Sequence, residues 1–124
     1  MREYLFRGKR VDNGEWVEGM PCSDLKGGVD AIQSNLGGGI FDIYPESFGQ
    51  YTGMKDKNGR KIFEGDIIER VWFGALSTYK IVFDDGIGAF IGESQNMRFT
   101  TFDYDSDCFE VIGNVFENAE LLEG

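Results

Sequence analysis

Residues 4 to 11 and 15 to 20 alternate apolar side chains with charged ones on either side of Asp12-Asn13-Gly14. Asn-Gly adopts positive φ at little cost, so the pattern predicts a β-hairpin with Tyr4, Phe6 and Trp16 as its apolar rings. From 21 to 39 the alternation lapses. Lys26-Gly27-Gly28 and Leu36-Gly37-Gly38-Gly39 surround a short apolar stretch, 29 to 32, which reads as a mobile excursion with one short strand. Residues 40 to 44 form a further predicted strand, ended by Pro45, which has no N–H for a ladder and biases Tyr44 toward extended backbone.

Residues 50 to 69 are dense in glycine and charge: a turn on Asn58-Gly59, a stop at Gly65-Asp66, then a β-branched strand. The turn predicts a hairpin whose Lys55, Asp56, Lys57, Arg60 and Lys61 are solvated. The strand runs to Phe73, with Glu69 and Arg70 its charged interruptions. Alternation then places Tyr79, Ile81 and Phe83 on one face of the next strand, and Asp84-Asp85-Gly86 makes a turn. Strands over 87 to 93, 97 to 103 and 109 to 113 complete a five-stranded barrel with little room inside for a ligand. Asn118 is placed to cap a short helical turn through Leu122.

Three blocks carry a family resemblance. Gln50-Tyr51-Thr52-Gly53-Met54-Lys55-Asp56, Asn58-Gly59, Ile62 and Glu64-Gly65-Asp66-Ile67 form the first. Phe6-Arg7-Gly8-Lys9-Arg10 with Gly14-Glu15-Trp16-Val17 and Gly19 form the second, and Val111-Ile112-Gly113-Asn114-Val115-Phe116-Glu117-Asn118 with Glu120-Leu121-Leu122 the third. In this order they resemble the YopX proteins, small proteins of phages and prophages, with Ala119 where a proline is common. The resemblance implies a mainly β fold with an SH3-like barrel and no established activity.

Composition narrows the picture. A chain of 124 residues suits a single domain, burying roughly two thirds of its unfolded surface; the hairpin and Gly-rich region is 1–49 and the barrel part 50–124. The net charge of −10 is uneven: residues 84 to 124 hold ten Asp or Glu against the single Arg98. Nucleic acid is bound by neutralising phosphates with Lys and Arg, so direct nucleic-acid binding is disfavoured. No apolar leader or membrane-length run is present, which implies a cytoplasmic protein. Cys22 and Cys108 lie far apart with no His or Cys-x-x-Cys to complete a metal set, and are read as reduced, mostly buried thiols rather than a disulfide.

Candidate chemistry is sparse. The chain has no histidine, which excludes the usual Ser-His-Asp, Cys-His and His-metal arrangements. Asp103-Tyr104-Asp105-Ser106-Asp107 resembles half of a calcium loop, but Cys108 stands at the sharp-turn glycine and Asn114 at the final bidentate Glu. A solvated acidic face is the simpler reading. Gly37-Gly38-Gly39 lacks the Lys-Ser or Lys-Thr and helix of a phosphate cradle. Phe99, Phe102, Tyr104 and Phe109 resemble a base-stacking platform, yet sit in the acidic third and read as core. Arg2, Arg7, Lys9 and Arg10 read as the solvated side of a strand, available to the acidic third of another copy.

The sequence therefore points to a non-enzymatic accessory protein with no catalytic residues, no cofactor and no metal site, acting through protein partners including itself as a homo-oligomer. Two alternatives stand beside it. One is an acidic nucleic-acid mimic that antagonises a host DNA-binding protein; the other is a metal-dependent hydrolase using Asp103, Asp105, Asp107 and Glu110.

Overall fold

The computed structural model describes residues 4–23, 28–72, 74–94, 98–100 and 109–122, and is mainly β: antiparallel sheets joined by turns, with two short 3₁₀ turns and no α-helix among the described residues. The chain divides into two units, Met1–Tyr51 and Thr52–Gly124.

The first unit contains β1 (Phe6–Lys9), β2 (Trp16–Ser23), β3 (Val29–Ser34), β4 (Ile40–Asp42) and the opening residues of β5 (Gly49–Lys55), hydrogen-bonded in the order β4-β3-β2-β1-β5. The expected hairpin is present, with Phe6 opposite Gly19 and Lys9 opposite Trp16. Its connection closes through Arg10 N–H to Glu15 O at 2.8 Å. Past β4 the chain returns beside the end of β1: Val11 N–H donates to Asp42 O and Tyr44 N–H to Lys9 O, both at 3.0 Å.

The 21–39 region is more regular than its glycines imply. β2 runs on to Ser23 and pairs with all of β3, so Val29 and Ile32 join a ladder rather than a loose excursion. Ile32 is fully buried and centres a core of Val17, Ile32 and Ile43, flanked by Phe6, Val29, Phe41 and Phe48. The Phe6 and Phe48 rings stack at 5.5 Å. Of the three rings expected in the hairpin, only Phe6 packs there; Tyr4 is exposed and Trp16 half-buried.

The second unit begins within β5, after Tyr51, and contains β6 (Lys61–Phe63), the neighbour of β5. Its five-stranded antiparallel sheet has the order β10-β9-β8-β7-β11, from β7 (Asp66–Trp72), β8 (Ala75–Asp84), β9 (Ala89–Glu93), β10 (Arg98–Thr100) and β11 (Phe109–Asn114). Val111, Ile68 and Tyr79 lie side by side across β11, β7 and β8. With Ile62, Ile81, Phe90 and Phe109 they form the second core, and Met54 packs against it. Arg70, an apparent interruption of β7, is buried with its guanidinium 5.5 Å from the Tyr79 ring.

Every strand expected between 66 and 113 is found, but not the closed barrel: β10 and β11 stand at opposite ends of the order, with no pairing between them among the described residues. The reason lies on β11, whose outer edge is already occupied. Lys57 N–H donates to Phe109 O at 2.9 Å, and Val111 N–H donates to the Asp56 carboxylate at 3.0 Å. The C-terminal turn, Ala119–Leu122, is 3₁₀ rather than α. Asn118 does not cap it in the expected way: its side-chain oxygen accepts the Asn114 N–H at 3.2 Å, behind the turn.

Close backbone approach makes one glycine obligatory. A Cβ on Gly19 would lie 1.8 Å from the Gln33 carbonyl oxygen across the β2–β3 pair, so a strand would have to move. Gly19→Ala is expected to lower stability by about 3 kcal/mol in urea unfolding, as forced overpacking does. Gly38→Ala, where the added carbon meets only the Phe41 ring at 3.7 Å, should stay within about 0.5 kcal/mol of the parent.

Candidate functional site

The segment densest in signature residues is built around Asp56. Lys55 ends β5 and Lys61 opens β6, so Asp56 stands at the mouth of the turn. Asp side chains favour hydrogen bonds to backbone N–H groups two residues on, which shapes a turn locally. Here Oδ1 accepts the N–H groups of Asn58 and Arg60, both at 2.9 Å, while Oδ2 accepts Val111 N–H at 3.0 Å. Asp56 N–H donates to Arg60 O and Gly59 N–H to Asp56 O, with Gly59 at φ +82°. The expectation that Asp56 is solvated fails: it is 5% exposed, while Lys55, Lys57 and Arg60 face outward.

Burial pushes the Asp56 carboxyl up, but the N–H groups of Val111, Arg60 and Asn58, with the Arg60 charge, outweigh it and hold it below the usual carboxylate range. A second acid repeats the design. Asp66 is 1% exposed, and its Oδ2 accepts Phe63 N–H at 2.7 Å. Gly65 before it donates to Ile81 O and accepts from Val115 N–H, both at 2.8 Å. Opposite Asp66 in the β7–β11 pair stands buried Asn114, whose Oδ1 accepts Glu117 N–H at 2.9 Å and whose Nδ2 donates to Glu117 Oε1 at 3.1 Å. Asp56, Asp66 and Asn114 thus hold backbone, and each lies in one of the blocks that carry the family resemblance.

The other residues singled out from sequence are dispersed. Asp103, Asp105, Asp107 and Cys108 lie outside the described residues; Glu110 lies on β11, its Oε1 3.3 Å from Lys57 Nζ. Among the described residues no three His, Cys, Asp or Glu side chains are grouped to hold a metal ion. Gly37-Gly38-Gly39 is a β3–β4 turn closed by Ser34 N–H to Gly39 O at 2.9 Å. Phe109 is buried in the second core; Phe102 and Tyr104 lie outside the described residues, as does the side chain of Phe99. Cys22 is a free, half-buried thiol.

The N-terminal bases are not a solvated strand face. Arg7 is 8% exposed, its guanidinium 4.5 Å from the Trp16 ring, which Lys9 also approaches. Arg10 lies 3.8 Å over the Phe41 ring and forks onto Asp12 at 2.9 and 2.7 Å. Arg2 falls outside the described residues. In the acidic third, Asp84 Oδ1 accepts the N–H groups of Gly86 at 2.7 Å and Ile87 at 3.3 Å, while Oδ2 meets Arg98. The Gly86 hydrogen bond, with Arg98 beside it, holds the Asp84 carboxyl below its ordinary range. Glu93 bridges Arg98 at 3.3 Å and Lys80 at 3.8 Å.

Two outward-facing groups stand out beside singly exposed residues such as Leu76 and Ile87. One is the cationic turn with Lys55, Lys57 and Arg60. The other is a row on the first unit in which Met20, Gln33 and Ile40 stand opposite one another across β2, β3 and β4, all exposed, with Leu36 90% exposed on the adjoining turn.

Removing the Asp56 carboxylate strands three backbone donors, so Asp56→Ala is expected to cost about 2–4 kcal/mol in chemical denaturation. Because the folded carboxyl titrates below the unfolded value of about 3.9, its contribution is complete above that pH and is lost as pH falls through the lower folded value. Asp56→Asn should therefore show a shallower acid limb than the parent in stability measured from neutral pH downward.

Comparison with known proteins identifies a family and a similar solved structure. The model of the YopX family, described as YopX protein, matches residues 5–123. The crystal structure of protein EF1440 from Enterococcus faecalis superposes with a TM-score of 0.67 at 29% identity, covering 99% of this chain and 100% of that one. No curated protein matches the chain. With the family match spanning nearly its whole length and the signature acids seated at its turns, the chain belongs to the YopX family.

Proposed function

We propose that the chain is a non-enzymatic accessory protein of a phage or prophage, working in the bacterial cytoplasm through contacts with proteins, including other copies of itself. The observation that carries this reading is how the signature residues are spent. Asp56, Asp66 and Asn114, themselves buried, accept backbone N–H groups at turns, so the most distinctive groups of the chain are engaged in supporting the fold. A scaffold of this kind acts through its surface. The exposed row of Met20 and Ile40 with Leu36 supplies an apolar contact, and the cationic turn supplies a charged one.

Self-association draws on a different basic surface from the one the sequence indicated. Arg7 and Arg10 are engaged with Trp16, Phe41 and Asp12, whereas Lys55 and Arg60 face outward, beside Lys57 with its Glu110 partner, toward an acidic neighbour. The nucleic-acid mimic is less favoured, because Asp84, Glu93 and Glu110 are interleaved with Arg98, Lys80 and Lys57. A mimic needs a continuous anionic row instead.

Affinity purification of the tagged protein from lysogenic cells, compared with Met20→Asp/Ile40→Asp and Lys55→Glu/Arg60→Glu forms, tests the contact reading. The expected outcome is a host protein retained by the parent and lost with one of the two variants. Retention by both, or a partner that is itself a nuclease-sensitive nucleic acid, counts against it. Light scattering should show assemblies at low salt that dissociate as salt rises; a monomer throughout removes self-association.

A further inference from the structure

Two Asn-Gly pairs punctuate the sequence, Asn13-Gly14 and Asn58-Gly59, and each has the glycine that favours spontaneous succinimide formation. The step needs the glycine nitrogen, after losing its proton, to attack the asparagine Cγ. The N–Cγ bond forms, the Cγ–Nδ2 bond breaks, and its electron pair leaves with a proton as ammonia. Water then opens the five-membered ring at either carbonyl, giving aspartate or isoaspartate. One water is consumed and one ammonia released, with no oxidant or enzyme.

The nucleophiles of the two turns are held alike: Gly14 N–H donates to Arg10 O at 3.1 Å and Gly59 N–H to Asp56 O at 3.0 Å. Both glycines have positive φ, +73° and +82°. The electrophiles are held differently. Asn13 Oδ1 accepts Glu15 N–H at 2.9 Å, and its Nδ2 lies 3.4 Å from Glu15 Oε2, so the carboxamide is clamped across Gly14. The exposed Asn58 carboxamide makes no hydrogen bond among the described residues and is free to rotate toward Gly59 N.

Charge separates the turns further. Asn13 stands between Asp12 and Glu15, which oppose loss of the glycine amide proton. Asn58 has Lys57 beside it and Arg60 two residues on, both exposed, while Asp56 is turned inward. Cations near a forming amide anion stabilise it.

We infer that Asn58 is a site of spontaneous, structure-directed conversion to aspartate and isoaspartate, and that Asn13 is protected by its Glu15 clamp. The product changes the turn in two ways. It sets a new carboxylate among Lys55, Lys57 and Arg60. In the isoaspartyl form it also adds one carbon to the main chain between the N–H groups of residues 58 and 60, the two that share Asp56 Oδ1. That spacing no longer suits one oxygen, so the converted turn loosens.

Purified full-length protein aged at neutral pH, followed by peptide mapping and labelling with an isoaspartyl methyltransferase, tests the inference. In the folded protein the peptide containing Asn58 should convert several-fold faster than the peptide containing Asn13, and the two rates should converge in urea. Asn58→Gln should abolish methyl acceptance at that turn. Equal rates in the folded protein, a faster Asn13, or an intact Asn58 while the unfolded chain converts would overturn it.

Discussion

The three hydrogen bonds accepted by the Asp56 carboxylate are the interaction on which the second unit most depends. Two of them shape the turn between β5 and β6, and the third reaches fifty-five residues along the chain to Val111 on β11. A buried carboxylate without partners is costly, whereas one that accepts three backbone N–H groups makes charge-assisted bonds stronger than neutral ones. The same group therefore closes a local turn, seals the outer edge of β11 and ties two distant segments into one core. Lys57, whose N–H bonds Phe109 O, extends that seal by a residue.

Edge management follows from this. An unpaired sheet edge offers a ladder to any passing strand, and proteins blunt it by closure, by charge or by covering it. In the second unit the edge of β11 is covered by the 56–57 turn, with the Lys57–Glu110 ion pair beside it. At the far side, Glu93 on β9 pairs with Lys80 on β8 and with Arg98 on β10. These exposed pairs contribute little to stability, though they set cations beside some of the acids that dominate the composition of this third.

The residue blocks by which the family is recognised have a common physical theme. Asp56, Asp66 and Asn114 all accept backbone N–H groups where the chain reverses, and Gly19 and Gly113 sit where a Cβ would strike a neighbouring strand or the Asn118 side chain. Turn geometry constrains residue type more tightly than core filling does, since many apolar side chains fill a core but few satisfy a fixed pair of donors. A family signature composed of turn acids and glycines records a fold.

The sequence by itself determined the mainly β class, the first hairpin, every strand of the second sheet and the family, because alternation and Asn-Gly turns are local signals read within a few residues. Only the tertiary structure decided that β3 is a full strand, that Arg7 and Arg10 stack on aromatic rings, that the second sheet stays open, and that Asp56 is buried. An Asp two residues before Asn58-Gly59 was a legible sign of a side-chain-stabilised turn. Its third partner, Val111, was not. Whether a charged residue faces water or a buried donor depends on what the fold brings to it from far along the chain, and no local pattern encodes that.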